Sequence, residues 1–383
     1  MRLRWVGLGA GLVMLVLAAA LVPWERWMGR RGAQEGPMPP PSAHGDIPRI
    51  DVHVHVTPDR AEEAVALFAR HHVRLAFNAS GGHPGGGLEA SAAAGSRAEG
   101  RLLPYCSVSF DRVEDPGFAE YASSTLDRCV DLGAVGLKVF KSLGLGTELS
   151  DGSLLRVDDP RLDVVFDGAA SRGLPILIHA GDPQAFFRPP TADNERHEEL
   201  QAHPSWSFHG RRENGRPWPS WEQVFTQYRA RVARHPEATF VGAHFGNAPE
   251  EPDRVAAMLE ANPRYVVETG ARIPEIGRHD PKRMRELFIE YQDRILFGTD
   301  LQMGPWGLVL GSAGREPDPP SRVPAFYRSH WKYFETRARG FPHPTPIQGD
   351  WRIDGLGLPR HVLEKIYWKN AARVFQRAPP ETR

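Results

Sequence analysis

Asp51-Val52-His53-Val54-His55 opens the first strand-like run beyond the Pro-rich segment of this chain. On a strand, side chains two apart face the same way, so His53 and His55 present two neighbouring imidazoles. Two such rings can share one divalent metal ion. Taken alone, the pair reads equally well as two hydrogen-bonded histidines at a strand end. Other polar residues close apolar runs further along. Lys138 follows Gly136-Leu137, His179 follows Ile176-Leu177-Ile178, and His244 follows Phe240-Val241-Gly242-Ala243. Asp300 follows Ile295-Leu296-Phe297-Gly298-Thr299. Imidazole and carboxylate donors suit Zn²⁺, and also Mn²⁺, Fe²⁺ or Co²⁺. A metal-bound water ionises near neutral pH and becomes a nucleophile. Asp300 can bind metal and take that water's proton. His244 either binds a second metal or stands off and orients the water.

Those residues need a scaffold that brings strand ends together. Strand-like runs fall at 50–56, 74–79, 102–110, 134–140, 175–179, 239–244, 265–269 and 295–299. Helical stretches fall at 59–71, 116–132, 160–172, 221–234, 254–261, 281–291 and 358–375. Residues 80–100 read as a Gly-rich loop. This alternation predicts a parallel α/β fold. Its closed form is a (β/α)₈ TIM barrel, whose active sites form where the C-terminal strand ends meet. A doubly wound open sheet is the other arrangement that the alternation allows. Long insertions after the fifth and eighth strands, at 181–220 and 301–359, would lie on that face. No internal repeat and no G-x-G-x-x-G motif follows the first strand.

The order H-x-H, Lys, His, His, Asp resembles the amidohydrolase superfamily. More narrowly, it is similar to the amidohydrolase-related branch that includes aminocarboxymuconate-semialdehyde decarboxylase. The ending Leu363 to Phe375, with Asn370-Ala371, is similar to that branch's closing helix. The likeness covers residues 49 to 377. It implies a barrel with one divalent metal, zinc first among the candidates, held by His53, His55, His179 and Asp300. It implies His244 as the acid or base. It leaves Lys138 two roles: an unmodified ammonium that binds a substrate carboxylate, or a carboxylated bridge between two metals. It implies a metal-dependent hydrolase acting on an amide, ester or lactone, or a non-oxidative decarboxylase of an unsaturated or aromatic acid. Barrels of this branch are often homodimers.

Other residues are weaker candidates. Arg272 follows the seventh strand and can bind an anionic group of the substrate or pair with a neighbouring helix. Lys141 competes with Lys138. Glu268 can tune the site if its strand turns it inward. Asp182 and Asn247 stand near the same strand ends. Phe186, Phe187, Trp206, Phe208, Trp218 and Trp221 form either a lid or packing for the first insertion. His197, His203 and His209 are not expected as ligands. Cys106 and Cys129 read as buried thiols.

Composition narrows the function classes. Forty-seven Lys and Arg balance 47 Asp and Glu, so the charge surplus of a nucleic-acid binder is missing. Hydrophobic residues are 41% and charged residues 25%, ordinary globular proportions that argue against long disorder and a polytopic membrane protein. Two Cys exclude a disulfide scaffold and a multi-cysteine zinc site. Arg2 and Arg4 precede an uncharged stretch from Trp5 to Trp24. Roughly 20 apolar residues suffice to span a bilayer. Residues 1–31 therefore read as a signal anchor or a cleaved signal peptide, and the catalytic part as extracytoplasmic. Residues 32–48 read as a Pro-rich linker, with the barrel domain at 49–377. A non-catalytic, membrane-tethered binding barrel is the reading outside enzymes.

Overall fold

The computed structural model describes residues 37–181 and 183–380. The expected signal or anchor segment and Asp182 lie outside the described residues. Among the described residues no helix is long and apolar enough to cross a membrane.

Eight strands carry the fold: β1 (Arg49–Val56), β2 (Val73–Asn78), β3 (Leu102–Pro104), β4 (Leu137–Val139), β5 (Ile176–Ile178), β6 (Phe240–Gly242), β7 (Val266–Glu268) and β8 (Ile295–Leu296). Neighbours pair in parallel, as β1-β2-β3 and as β4-β5-β6-β7-β8. Backbone bonds join the two sheets at both seams. Val135 N–H donates to Pro104 O at 2.9 Å and Lys138 N–H to Cys106 O at 2.6 Å. On the other side, Val52 N–H donates to Phe297 O at 3.0 Å and Asp300 N–H to His53 O at 2.8 Å. The ring is thereby closed, and all eight C-terminal strand ends share one rim.

The barrel floor is a cluster to which nearly every strand contributes: Ile50, Val52, Phe77, Leu177, Val241, Val266 and Leu296, plugged by Phe375. Ile50 and Val52 take the floor, yet His53 and His55 must face the rim. The register of β1 against β2 shifts between Asp51 and Val54. A bulge there reverses the alternation and re-aims the histidines.

Several elements differ from expectation. Leu88–Arg97 is a helix within the stretch read as a Gly-rich loop. Its alanines favour helix but give no apolar stripe to detect. The second insertion starts with a strand, β9 (Leu301–Gly304), that continues along β1 and turns back as β10 (Gly307–Leu310). It also contains the helix Val323–Glu335, which packs on the barrel through Phe326, Tyr327, Trp331 and Phe334. Ordered contacts begin before Arg49: Ile47 is buried, and Ser42 Oγ donates to Glu335 Oε1 at 2.7 Å.

The two cysteines form a disulfide, not two thiols. The Cys106–Cys129 Cα atoms are 5.8 Å apart. Cys106 lies just past β3 and Cys129 in the helix Phe118–Asp131, whose buried face packs on that seam. Such a Cα separation suits a bridge.

Candidate metal centre

Three side chains converge at the rim between β1 and β8. His53 Nε2 lies 3.2 Å from His55 Nε2. Asp300 Oδ1 lies 3.2 Å from His55 Nε2 and 3.6 Å from His53 Nε2. Each ring is oriented by its other nitrogen. His53 Nδ1 donates to Glu268 Oε1 at 2.9 Å. His55 Nδ1 lies 2.6 Å from Ser80 Oγ, a hydroxyl that accepts from the Nδ1–H tautomer of a metal-binding ring. The Nε2 atoms therefore carry lone pairs toward Asp300. Bonds of about 2.0–2.2 Å at a tetrahedral angle would separate two donor atoms by about 3.3–3.6 Å. The three observed separations, 3.2, 3.2 and 3.6 Å, lie within or just below that range, and Asp300 Oδ1 is buried without a hydrogen-bond donor of its own. The residues present thus suit a small divalent cation.

Glu268 ties the centre together. The inward direction that β7 left open is settled: its Oε1 also accepts from His244 N–H at 2.6 Å, and its Oε2 accepts from Gly270 N–H. A Cβ at Gly298 would collide with Oε2, so the carboxylate needs glycine there. Burial opposes its charge, but His53, His244 and the hydrogen bonds win, holding its pKa down to about 2. Burial likewise opposes ionisation of Asp300, yet the three histidines hold its carboxyl well below the usual range. Burial pushes the His55 ring below its ordinary value, against the pull of Asp300. The rim thus holds ionised carboxylates beside a neutral ligand ring.

The strand ends carry unusual backbone. His244, Ala271 and Asp300 have φ of 54°, 57° and 59°. Left-handed conformations at non-glycine residues cluster where function fixes them. At Asp300 the kink separates β8 from β9 and turns the carboxylate into the ring. Asp51 spans the same seam, accepting from Thr299 Oγ1 at 2.6 Å, Thr299 N–H at 3.1 Å and His53 N–H at 3.2 Å. Burial pushes its pKa up to about 7 despite those bonds.

The remaining candidates separate by position. Lys138 Nζ is 3.4 Å from His53 Nε2. Lys141 instead points into three rings, 5.4 Å from Phe186, 5.3 Å from Trp206 and 5.9 Å from Phe208. The aromatics of the first insertion pack there and on each other. His179 stands edge-on to His244, ring centroids 4.3 Å apart, outside the tight group of His53, His55 and Asp300. His244 Nδ1 donates to Gly270 O at 2.9 Å, leaving Nε2 as its proton-exchanging atom. Arg272 is buried, its Nη1 on Ala271 O at 3.1 Å, near the buried pair of Arg196 and Glu275. His197 and His203 bond to the carbonyls of Pro190 and Ala313. Ser80 and Asn78, which clasps Val56 through N–H and O at 3.0 and 2.8 Å, were not expected. Asn78 ends β2 and Ser80 follows two residues later, so the same strand-end rule points to them.

The amidohydrolase family profile matches residues 113–377. That is well over half of the chain. The chain belongs to the amidohydrolase family. The match begins after β3, so the closed barrel is what joins the H-x-H pair of β1 to it. No curated protein sequence matches this amidohydrolase. Among solved structures it is similar to 2,6-dihydroxybenzoate decarboxylase from Rhizobium, at 16% identity, TM-score 0.49, covering 86% of this chain and 98% of that one. It is also similar to 4-oxalomesaconate hydratase from Rhodopseudomonas palustris, at 13% identity, TM-score 0.48, covering 86% and 95%. A third is a probable 2-pyrone-4,6-dicarboxylic acid hydrolase from Acinetobacter baumannii, at 12% identity, TM-score 0.45, covering 86% and 99%.

Proposed function

We propose that this amidohydrolase is a metal-dependent hydrolase that attacks an amide, ester or lactone of a small acidic substrate. The observation that carries the reading is the triangle of His53 Nε2, His55 Nε2 and Asp300 Oδ1, with both imidazoles oriented from behind. His53, His55 and Asp300 would hold the ion, with His179 as the fourth ligand. A divalent ion held there, zinc first and Mn, Fe or Co in its place, would supply Lewis acidity and make a water more acidic. Asp300 takes a proton from the attacking water. His244 Nε2 passes a proton to the leaving group. Lys138 presents its ammonium beside His53, where it binds the acid group of the substrate. Arg272 is the second proposed anion contact.

One observation favours a second reading. Lys138 lies against the ligand cluster itself, so the acid group it binds sits at the reacting centre. That placement suits non-oxidative decarboxylation of an unsaturated or aromatic acid.

We place the catalytic domain, residues 49–377, outside the cytoplasm, anchored by residues 1–31 or secreted. The Cys106–Cys129 disulfide supports an oxidising compartment. A homodimer is the proposed assembly.

Metal content of the purified full chain, measured by elemental analysis with and without bicarbonate, tests the centre. About one equivalent per chain is expected. No tightly bound metal after reconstitution would sink the reading. Panels of lactones, esters and aromatic acids, followed by acid release and by CO₂ release, then separate hydrolysis from decarboxylation.

A further inference from the structure

We propose that Asn247 is the positioning residue for His179, which rests on the reading of His179 as a metal ligand. Asn247 is fully buried. Its Oδ1 accepts from Ala180 N–H at 2.7 Å, and its Nδ2 donates to Ile178 O at 3.2 Å. These two peptide groups stand on either side of His179. One side-chain amide therefore fixes the backbone before and after the ring. Only an amide supplies both a donor and an acceptor at that spacing.

The turn that carries Asn247 is built for this. After β6 the chain runs left-handed through His244, Phe245, Gly246 and Asn247, with φ of 54°, 55°, 71° and 61°. Asn247 N–H closes the turn on Ala243 O at 2.7 Å. Asparagine tolerates the left-handed region better than most residues. The turn folds β6 back over the end of β5 and brings His244 edge-on to His179 at 4.3 Å. His179 is also held by its own N–H on Val139 O at 3.0 Å, a bond to β4 that fixes strand height but not the peptide that follows. Asn247 restrains that peptide through Ala180 N–H. Removing a group that orients a ligand from behind typically costs about 10- to 100-fold in metal affinity.

The test uses the full chain, stripped of metal and titrated with Co²⁺ against a chelator, with the visible Co²⁺ spectrum recorded. Asn247→Ala is expected to weaken Co²⁺ binding by about 10- to 100-fold and to shift the spectrum as His179→Ala does. In the His179→Ala background it should add no more than about twofold. Asn247→Asp keeps an acceptor for Ala180 but loses the donor to Ile178, so an intermediate loss is expected. It also guards against misfolding of the alanine variant. Hydrogen exchange at the Ala180 amide should quicken in Asn247→Ala without any metal present. Equal losses in both backgrounds, or wild-type Co²⁺ binding by a folded Asn247→Ala, would overturn the proposal alone. Failure of the wild-type chain to bind Co²⁺ would sink the metal reading and this proposal with it.

Discussion

Glu268 Oε1 lies 2.9 Å from His53 Nδ1, and that bond sets which nitrogen of His53 faces the rim. The same oxygen also accepts from His244 N–H, and the other from Gly270 N–H. All of the partners are donors, so a carboxylate fits and an amide does not. Glu268→Gln would turn an NH₂ toward a donor or lose one of the bonds. Metal affinity is expected to fall about 10- to 100-fold with the fold intact. Glu268→Ala leaves buried donors unmatched and should cost about 3–5 kcal/mol of stability as well. Chelator competition and urea unfolding read the two effects separately. Wild-type metal affinity in Glu268→Gln would contradict this role.

His53→Ala and Asp300→Ala each remove one corner of the donor triangle. Both should lose metal and turnover together, by elemental analysis and assay on the same preparation. Full metal with full turnover in His53→Ala would show that the site has been misassigned.

Lys138→Ala distinguishes the two roles of the fourth-strand lysine. With Nζ 3.4 Å from His53 Nε2, the ammonium is placed to meet a substrate acid group at the ligands. The expected result is a raised KM for acidic substrates at unchanged metal stoichiometry. Loss of one metal equivalent, with a bicarbonate dependence in the wild type, would instead identify a carboxylated bridge.

The site was legible where a polar residue ended an apolar run. Lys138 and Asp300 obey that rule, while His53 and His55 stand out by their H-x-H spacing within a strand, and neither signal needs knowledge of packing. It was less legible where direction depends on neighbours. The bulge in β1 decides that Ile50 and Val52 fill the floor while His53 and His55 reach the rim, and no residue type announces it. Glu268 turns inward because Gly270 and Gly298 leave room for its carboxylate, a pairing between strands that a single sequence does not display. The helix Val323–Glu335 was missed because Pro-rich flanks hid its apolar face.

The Cys106–Cys129 bridge was misjudged for a related reason. A strand end and a helix position, 23 residues apart, meet only after the helix docks on the β3–β4 seam. Closing a loop of that size should stabilise the fold by about 2–4 kcal/mol. Cys106→Ser with Cys129→Ser is expected to lower the urea midpoint without changing metal content. Free-thiol titration of the denatured wild-type chain should find no reactive thiol until a reductant is added. Two free thiols in unreduced protein would remove the support for an oxidising compartment.

His330 offers a pH test remote from the metal ligands. It is buried in the helix Val323–Glu335, its Nδ1 on Phe326 O at 2.8 Å and its ring against Phe297. Burial, only partly offset by that carbonyl, lowers its pKa from 6.5 to about 4. The unfolded chain therefore binds a proton at this site between pH 6.5 and 4 that the folded chain does not. Stability contributed by the neutral ring is present in full above the unfolded value and declines as pH falls toward 4. The whole shift corresponds to ~3 kcal/mol at most. His330→Leu removes this proton uptake, so the wild-type deficit relative to the variant should grow as pH drops from 7 to 4. Urea unfolding of both proteins across that range measures the difference. A constant offset between the two curves would mean that His330 is not held neutral by the fold.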